Sequence, residues 1–399
     1  MKTFNRRKFI QYSGLASASL LIPNFLRAFQ SQQNLVAGNK TLVVIQLSGG
    51  NDGLNTVIPH ANDIYYKLRP TLAISKENVL KLNDELGLNP SMAKMADLFH
   101  NGNMTILNNV GYPNPDRSHF RSMEIWQTAA SSEEYLTSGW VGRFLDAQCP
   151  DCSNSYMAIE VDDTLSAAMK GVDKNGIAVS HADVLYNATR NPFLRKLGTE
   201  EKQVKEDHLH YLYKTMVETM SSAEYIYDHS KIITSKEEYP DSPFANRLKQ
   251  IATLINSDID TKVFYVSHGS FDTHTNQQNT QARLLQQLSE GLYAFTEDLK
   301  QNNRFNDVLI FTFSEFGRRV SQNSNNGTDH GTANNIFLLG GALKKPGIYN
   351  QTPNLEDLDT GDLKYQIDFR QLYATALNKW LKADDEKILG KKFELLDVI

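Results

Sequence analysis

Thr41-Leu42-Val43-Val44-Ile45-Gln46-Leu47, running directly into Ser48-Gly49-Gly50-Asn51-Asp52-Gly53-Leu54-Asn55, decides how the chain folds. A nearly continuous β-branched and apolar run suits a strand buried on both faces, as at the centre of a parallel sheet. Two glycines then allow a sharp turn, and Asp52 projects from the strand end, where a cation can bind. A plain structural turn is the competing reading. The segment has neither a G-x-G-x-x-G pattern nor a Walker lysine, which argues against a nucleotide fold.

Strand-like runs recur outward from this point, at Met104 to Leu107, Ser155 to Val161, Lys262 to Val266, Asp307 to Phe313 and Ile336 to Leu339. Leu284, Leu285, Leu288, Leu292, Phe295 and Leu299 mark one face of a long helix between them. Phe369, Leu372, Tyr373, Ala376, Leu377, Trp380 and Leu381 repeat that period, with Asp368 as N-cap. The alternation predicts an α/β fold, a mostly parallel central sheet with helices on both faces. A charged segment over about residues 199–236 breaks the rhythm and reads as a helical insertion. Its His208 and His210, two apart, point to different helix faces and read as solvated surface. No linker or repeat divides residues 40–399, so one domain is expected.

Asn5-Arg6-Arg7-Lys8-Phe9-Ile10, ahead of a mildly apolar stretch from Tyr12 to Phe25, reads as a twin-arginine export signal over residues 1–29. That implies passage through the twin-arginine machinery to a periplasmic or secreted location. The stretch is short and serine-rich for a membrane span, so none is expected in the mature chain. Its removal takes away five basic residues and no acid, moving the formal charge from −5 to −10. An acidic chain has no electrostatic footprint for nucleic acid. Cys149 and Cys152, the only cysteines, suit a disulfide in an oxidising compartment. They follow the helical pattern Trp140 to Ala147 instead of opening a helix after a strand, which argues against a thioredoxin-type role.

Loops beyond the carboxyl ends of parallel strands converge on one crevice. Ser267-His268-Gly269-Ser270-Phe271-Asp272-Thr273-His274-Thr275-Asn276-Gln277 follows one strand, and Asp272 and His274 point the same way if that stretch is extended. Ser314-Glu315-Phe316-Gly317-Arg318 ends another strand, and Gly327-Thr328-Asp329-His330-Gly331-Thr332 follows an Asn/Ser-rich loop. With Asp52 these predict a divalent metal site of Asp52, Asp272, His274, Glu315, Asp329 and His330. Mixed carboxylate and imidazole ligands admit zinc, manganese, calcium or magnesium. In Pro115-Asp116-Arg117-Ser118-His119-Phe120-Arg121, Ser118 stands where a helix begins, and unsatisfied N–H groups there favour a bound oxyanion. Ser118 is therefore the candidate nucleophile, with His119 beside it and Arg117 or Arg121 as an anion clamp. A simple helix cap at Asp116 or Ser118 is the competing reading.

Taken in order, Gly49 to Gly53, Arg117 to Phe120, Gly139-Trp140-Val141-Gly142-Arg143, Asp272 to Gln277, Ser314 to Arg318 and Gly327 to Gly331 resemble a bacterial exported family of unknown function. That family is grouped with the alkaline phosphatase and sulfatase superfamily, and the resemblance spans about residues 40–385. It implies an alkaline phosphatase-like fold, with Asp52 as the first-strand metal aspartate, Ser118 as nucleophile, Asp272 and His274 in one metal site and His330 as a further ligand. Ser314-Glu315-Phe316-Gly317 resembles the superfamily's Ser-Asp-His-Gly, with Phe316 in place of a histidine ligand and Glu315 in place of aspartate. No Cys-x-Pro-x-Arg sulfatase signature is present. The implied activity is metal-dependent hydrolysis of phosphate, phosphonate or sulfate esters, with one ion instead of two and with Arg117, Arg121 or Arg318 to neutralise the anionic ester. The alternative is a non-catalytic exported binding or envelope protein that keeps the fold.

Overall fold

All seven residues of β1 (Thr41–Leu47) are buried, and its side chains alternate between two separate cores. Val43, Ile45 and Leu47 enter one core, Leu42 and Val44 the other. A strand apolar on both faces has to be covered on both. The computed structural model describes residues 40–148, 155–192 and 207–399. The twin-arginine segment and both cysteines lie outside the described residues.

Eight further strands join β1 in one nine-stranded sheet: β2 (Met104–Gly111), β3 (Ala158–Glu160), β4 (Ile177–Ala178), β5 (Val263–His268), β6 (Val308–Phe313), β7 (Asn334–Leu339), β8 (Gly347–Ile348) and β9 (Ile367–Asp368). The order is β8-β2-β7-β6-β1-β5-β3-β4, with β9 also pairing β2. Every pairing is parallel except those of β7, which runs antiparallel to β2 and β6. Leu47 lies opposite His268 and Gln46 opposite Phe313, so β1, β5 and β6 end almost flush. Because β7 is reversed, its beginning lies at that same edge, and the loop entering it shares the crevice.

Ten helices flank the sheet: α1 (Asp63–Leu68), α2 (Ala93–His100), α3 (His119–Thr128), α4 (Trp140–Gln148), α5 (Ala182–Thr189), α6 (Asp207–His229), α7 (Pro243–Asn256), α8 (Gln277–Gln301), α9 (Phe369–Thr375) and α10 (Asp385–Leu389) among the described residues. Met95 and Leu98 of α2, Leu248 of α7 and the expected leucine stripe of α8 fill the first core. Ile125 and Trp126 of α3, Phe144 of α4, Tyr373 of α9 and Ile388 of α10 fill the second. Asp368 caps α9 as expected: it accepts from the Arg370 N–H, while the Gln371 side chain accepts from the Asp368 N–H.

Two differences from the sequence reading have local causes. β2 continues beyond Leu107 through Asn108 and Asn109, where polarity ended the apolar run. Both are buried, and Asn108 is matched by Asn350, which pairs with its backbone, and by the Asn335 amide at 3.0 Å. Residues 155–157 form a 3-10 turn, leaving only Ala158–Glu160 as strand. The helix α6 occupies the span expected for the insertion and meets α5 through Tyr186 and Tyr227, stacked at 4.1 Å. The side chains of His208 and His210 are not among the described ones. Among the described residues no helix is long and apolar enough to cross a membrane.

Glu160 of β3 is buried and accepts from the Ser166 N–H at 2.7 Å. Burial pushes its carboxyl up from 4.5 to about 7. Between those values the folded chain holds a proton that the unfolded chain has released, so stability falls as pH rises through that window. Glu160→Gln should therefore gain about 2–3 kcal/mol in urea titrations at about pH 8, and close to nothing at about pH 4.

Candidate metal centre

The loop after β1 approaches the loop after β5 so closely that a Cβ on Gly49 would lie 2.4 Å from the Asp272 nitrogen. Gly50, at φ +75°, leaves room for the Phe316 ring, which a Cβ there would meet at 2.3 Å. Between these loops lies the guanidinium of Arg318, whose side chain is fully buried. Its Nε donates to the Gly50 carbonyl at 2.6 Å and Nη1 to the Thr328 carbonyl at 2.9 Å. Nη2 donates to the carbonyls of Gly49 and Phe271 and to Asp272 Oδ1, the last at 2.7 Å. The glycine turn thus aims its carbonyls at a resident cation.

Three imidazoles gather around Asp272. His119, the first residue of α3, is carried in by its helix, which is anchored where Ser122 Oγ and Trp126 Nε1 both donate to the Glu315 carbonyl. His330 is held by the antiparallel bridge between Arg318 and His330 ahead of β7. His274 follows Asp272 in the loop after β5. Each ring has an acceptor on its Nδ1 side: Glu315 Oε1 for His119 at 2.9 Å, the Arg117 carbonyl for His330 at 2.8 Å, and Asp329 Oδ1 for His274 at 3.3 Å. Carbonyls and carboxylates only accept, so these contacts assign the hydrogen to Nδ1 of His119 and His330 and turn their Nε2 atoms inward, whereas His274 also meets a carboxylate at Nε2, Asp272 Oδ1 at 3.0 Å, with Arg318 Nη1 at 3.4 Å.

The inward atoms converge. His274 Nε2 lies 2.9 Å from His330 Nε2 and 3.0 Å from Asp272 Oδ1. His330 Nε2 is 3.4 Å from Asp272 Oδ1, and His119 Nε2 is 3.5 Å from Asp272 Oδ2. His119 Nε2 is buried with no hydrogen-bond partner. Two lone pairs facing each other at 2.9 Å repel unless a cation or proton is shared. Donors around a tetrahedral ion at about 2.1 Å stand roughly 3.4 Å apart, close to the spacings here. His119, Asp272 and His330 form a group whose ligand atoms all lie within 4.8 Å of one another. The donor chemistry therefore fits a divalent ion.

The hydrogen bond to Glu315 raises the His119 pKa above its usual range against the opposing effect of burial. Burial lowers that of His330, with the Arg117 carbonyl opposing and the charge of Arg318 assisting. Burial would raise Asp272, but the hydrogen bond and charge of Arg318 bring it below the usual carboxylate range. The hydrogen bond from Asn323 lowers Asp329. Of the carboxylates around the imidazoles, Asp272 pairs with Arg318, and Asp329 also feels the charge of Arg319.

Several expected site residues stand elsewhere. Asp52 is fully buried in an ion pair with Arg69 at 2.6 Å and accepts from Gln277 through the same oxygen. Arg69 is locked by the carbonyls of Val320 and Arg319 and by Asn55, so Asp52 already has its cation. Glu315 and Asp329 stand behind the histidines as acceptors on Nδ1, and Glu315 also takes the Gly49 N–H. None of the three expected arginine clamps is free for an ester. Arg318 is caged, Arg117 pairs with Asp362, and Arg121 donates to the Ser131, Ser132 and Glu134 carbonyls. Ser118 is exposed at the N-cap of α3, and its hydroxyl makes no capping bond. Neither it nor Asp116 caps the helix; Asp116 accepts the Ser118 N–H instead.

Residues 199–395 match the family described as "Protein of unknown function (DUF1501)". No curated protein matches the chain. Among solved structures, the lipoteichoic acid synthase LtaP from Listeria monocytogenes is 10% identical with a TM-score of 0.37, over 78% of this chain and 68% of that one. A protein in the alkaline phosphatase superfamily from Vibrio parahaemolyticus is 9% identical with a TM-score of 0.37, over 80% and 64%. The PsFucS1 sulfatase from Pseudoalteromonas sp. is 10% identical with a TM-score of 0.38, over 94% and 72%. At such values the chemistry has to be argued from the site itself.

Arg69, which no sequence signal singled out, gives the sharpest stability test. Arg69→Met leaves Asp52 charged and buried without its partner, and should cost about 3–5 kcal/mol in denaturant titrations. Adding Asp52→Asn should recover a large part of that loss.

Proposed function

We propose that the chain is an exported metal-dependent hydrolase of phosphate, phosphonate or sulfate esters. The carrying observation is the group of His119, Asp272 and His330, whose ligand atoms lie within 4.8 Å of one another, with His274 beside it at 2.9 Å from His330. Imidazole nitrogens with one carboxylate suit zinc or manganese better than calcium or magnesium, which prefer oxygen. A divalent ion held there supplies Lewis acidity and charge neutralisation to the bound ester. With the three candidate arginines engaged elsewhere, no clamp from among them is left to meet an anionic ester, which adds to the need for the ion.

The chain's own residues divide the remaining work. Ser118 serves as nucleophile, its hydroxyl released from capping and its position one residue before His119. Glu315, the Arg117 carbonyl and Asp329 fix the imidazole orientations. Phe316, its ring centroid 4.9 Å from that of His119 and 4.6 Å from that of His330, excludes water from one side. Export by the twin-arginine route is part of the proposal and rests on residues 5–10 of the sequence.

Elemental analysis of the purified chain should find one transition ion per molecule. His119→Ala and His330→Ala should each abolish it, while Glu315→Gln and Asp329→Asn should weaken it about 10–100-fold. Protons compete for the same nitrogens, so affinity should fall with falling pH. Because His119 is raised above 6.5, that fall should begin above the usual imidazole range. Ser118→Ala should silence turnover in a panel of aryl phosphates, diesters and sulfates while leaving the ion bound. A metal-free, inactive wild type would sink the proposal. The pairing of Asp52 with Arg69 and Asp272 with Arg318 favours a second reading, a non-catalytic binding protein. A metal-loaded chain inert to the whole panel would select it.

A further inference from the structure

Beside the imidazole cluster lies a cavity of about 570 Å³. Asp272 and Glu315 line it together with the opening turns of α3, from His119 onward. Phe120, Met123 and Glu124, spaced three and four apart, share the helix face that looks into it, while Ser122, Ile125 and Trp126 turn to the core. Phe120 is 91% exposed, an unusual state for a large aromatic side chain next to the candidate ligand His119.

The wall has no lysine or arginine. Arg121, one turn away, pairs with Glu124 at 3.0 Å and lies 3.8 Å over the Tyr135 ring. At the cavity wall Glu124 and Asp272 are already paired, with Arg121 and Arg318, so the wall offers no unengaged side-chain cation to an incoming group with its own negative charge. An aromatic ring would meet Phe120 and Met123 and cover apolar surface now in water.

We propose that the site takes esters whose alcohol portion is aromatic and carries no second negative charge, with Phe120 and Met123 as the contact surface and Glu124, which keeps Arg121 engaged, as the discriminator against anions. This rests on the hydrolase reading and specifies its substrate class. Polyanions, such as nucleoside polyphosphates or multiply sulfated sugars, fall outside it.

Calorimetric titration of the zinc-loaded full chain with methylphosphonate, phenylphosphonate and 4-carboxyphenylphosphonate tests the assignment without relying on turnover. Phenylphosphonate should bind about tenfold tighter than either of the others. Phe120→Ala should erase the preference for phenyl over methyl, and Glu124→Gln should narrow the gap between phenyl and carboxyphenyl. Carboxyphenylphosphonate binding as tightly as phenylphosphonate, or an unchanged phenyl preference in Phe120→Ala, would overturn the substrate class and leave the hydrolase reading standing. Binding of none of the three would overturn both.

Discussion

A buried guanidinium is tolerable only when its hydrogens are satisfied, and Arg318 meets that demand by drawing four backbone carbonyls and one carboxylate around itself. The carbonyls of Gly49 and Gly50 come from the loop after β1, that of Phe271 from the loop after β5, and that of Thr328 from the loop before β7. One cation therefore ties three loops together at the strand ends. The glycines follow from it, since any Cβ at Gly49 or Gly50 would collide with the Asp272 backbone or the Phe316 ring. Asp272 follows as well: Arg318 holds Oδ1, and Oδ2 is turned toward His119.

Two layers of charge result. In the inner layer, Asp52 with Arg69 and Asp272 with Arg318 are neutralised by the chain itself. In the outer layer, Glu315 backs His119 and Asp329 backs His274, whose Nε2 lies 2.9 Å from that of His330. This division accounts for a site rich in acids that still exposes mainly nitrogen donors. It also explains the apolar neighbour Phe316, whose ring packs against two imidazoles where a further ligand would crowd them.

Much of the fold was legible because hydrophobic alternation is a local property. The run Thr41 to Leu47 coincides with β1, the leucine stripe lies on α8, and Asp368 caps α9. Where the reading fell short, a distant partner had changed the meaning of a residue. Asn108 looked like the end of a strand until its contacts with Asn335 and Asn350 satisfied it in a buried extension. In the site, the residue types and strand-end positions were legible, but their roles were not. Glu315 looks like a ligand in sequence because a carboxylate at a strand end can bind an ion, and only its contacts with Gly49 and His119 make it an orienting group.

The sequence by itself determined which elements form, and that acids and imidazoles gather at one edge of the sheet, because period and strand-end position are written along the chain. Tertiary structure alone decided which cation each carboxylate meets. Arg69 is 17 residues from Asp52, and Arg318 is 46 from Asp272. Neither separation has a periodic signature, and an arginine in a loop carries no mark of its partner. Pairing of buried charges is set by which loops the sheet brings within hydrogen-bond reach, and that distance exists only in the folded chain.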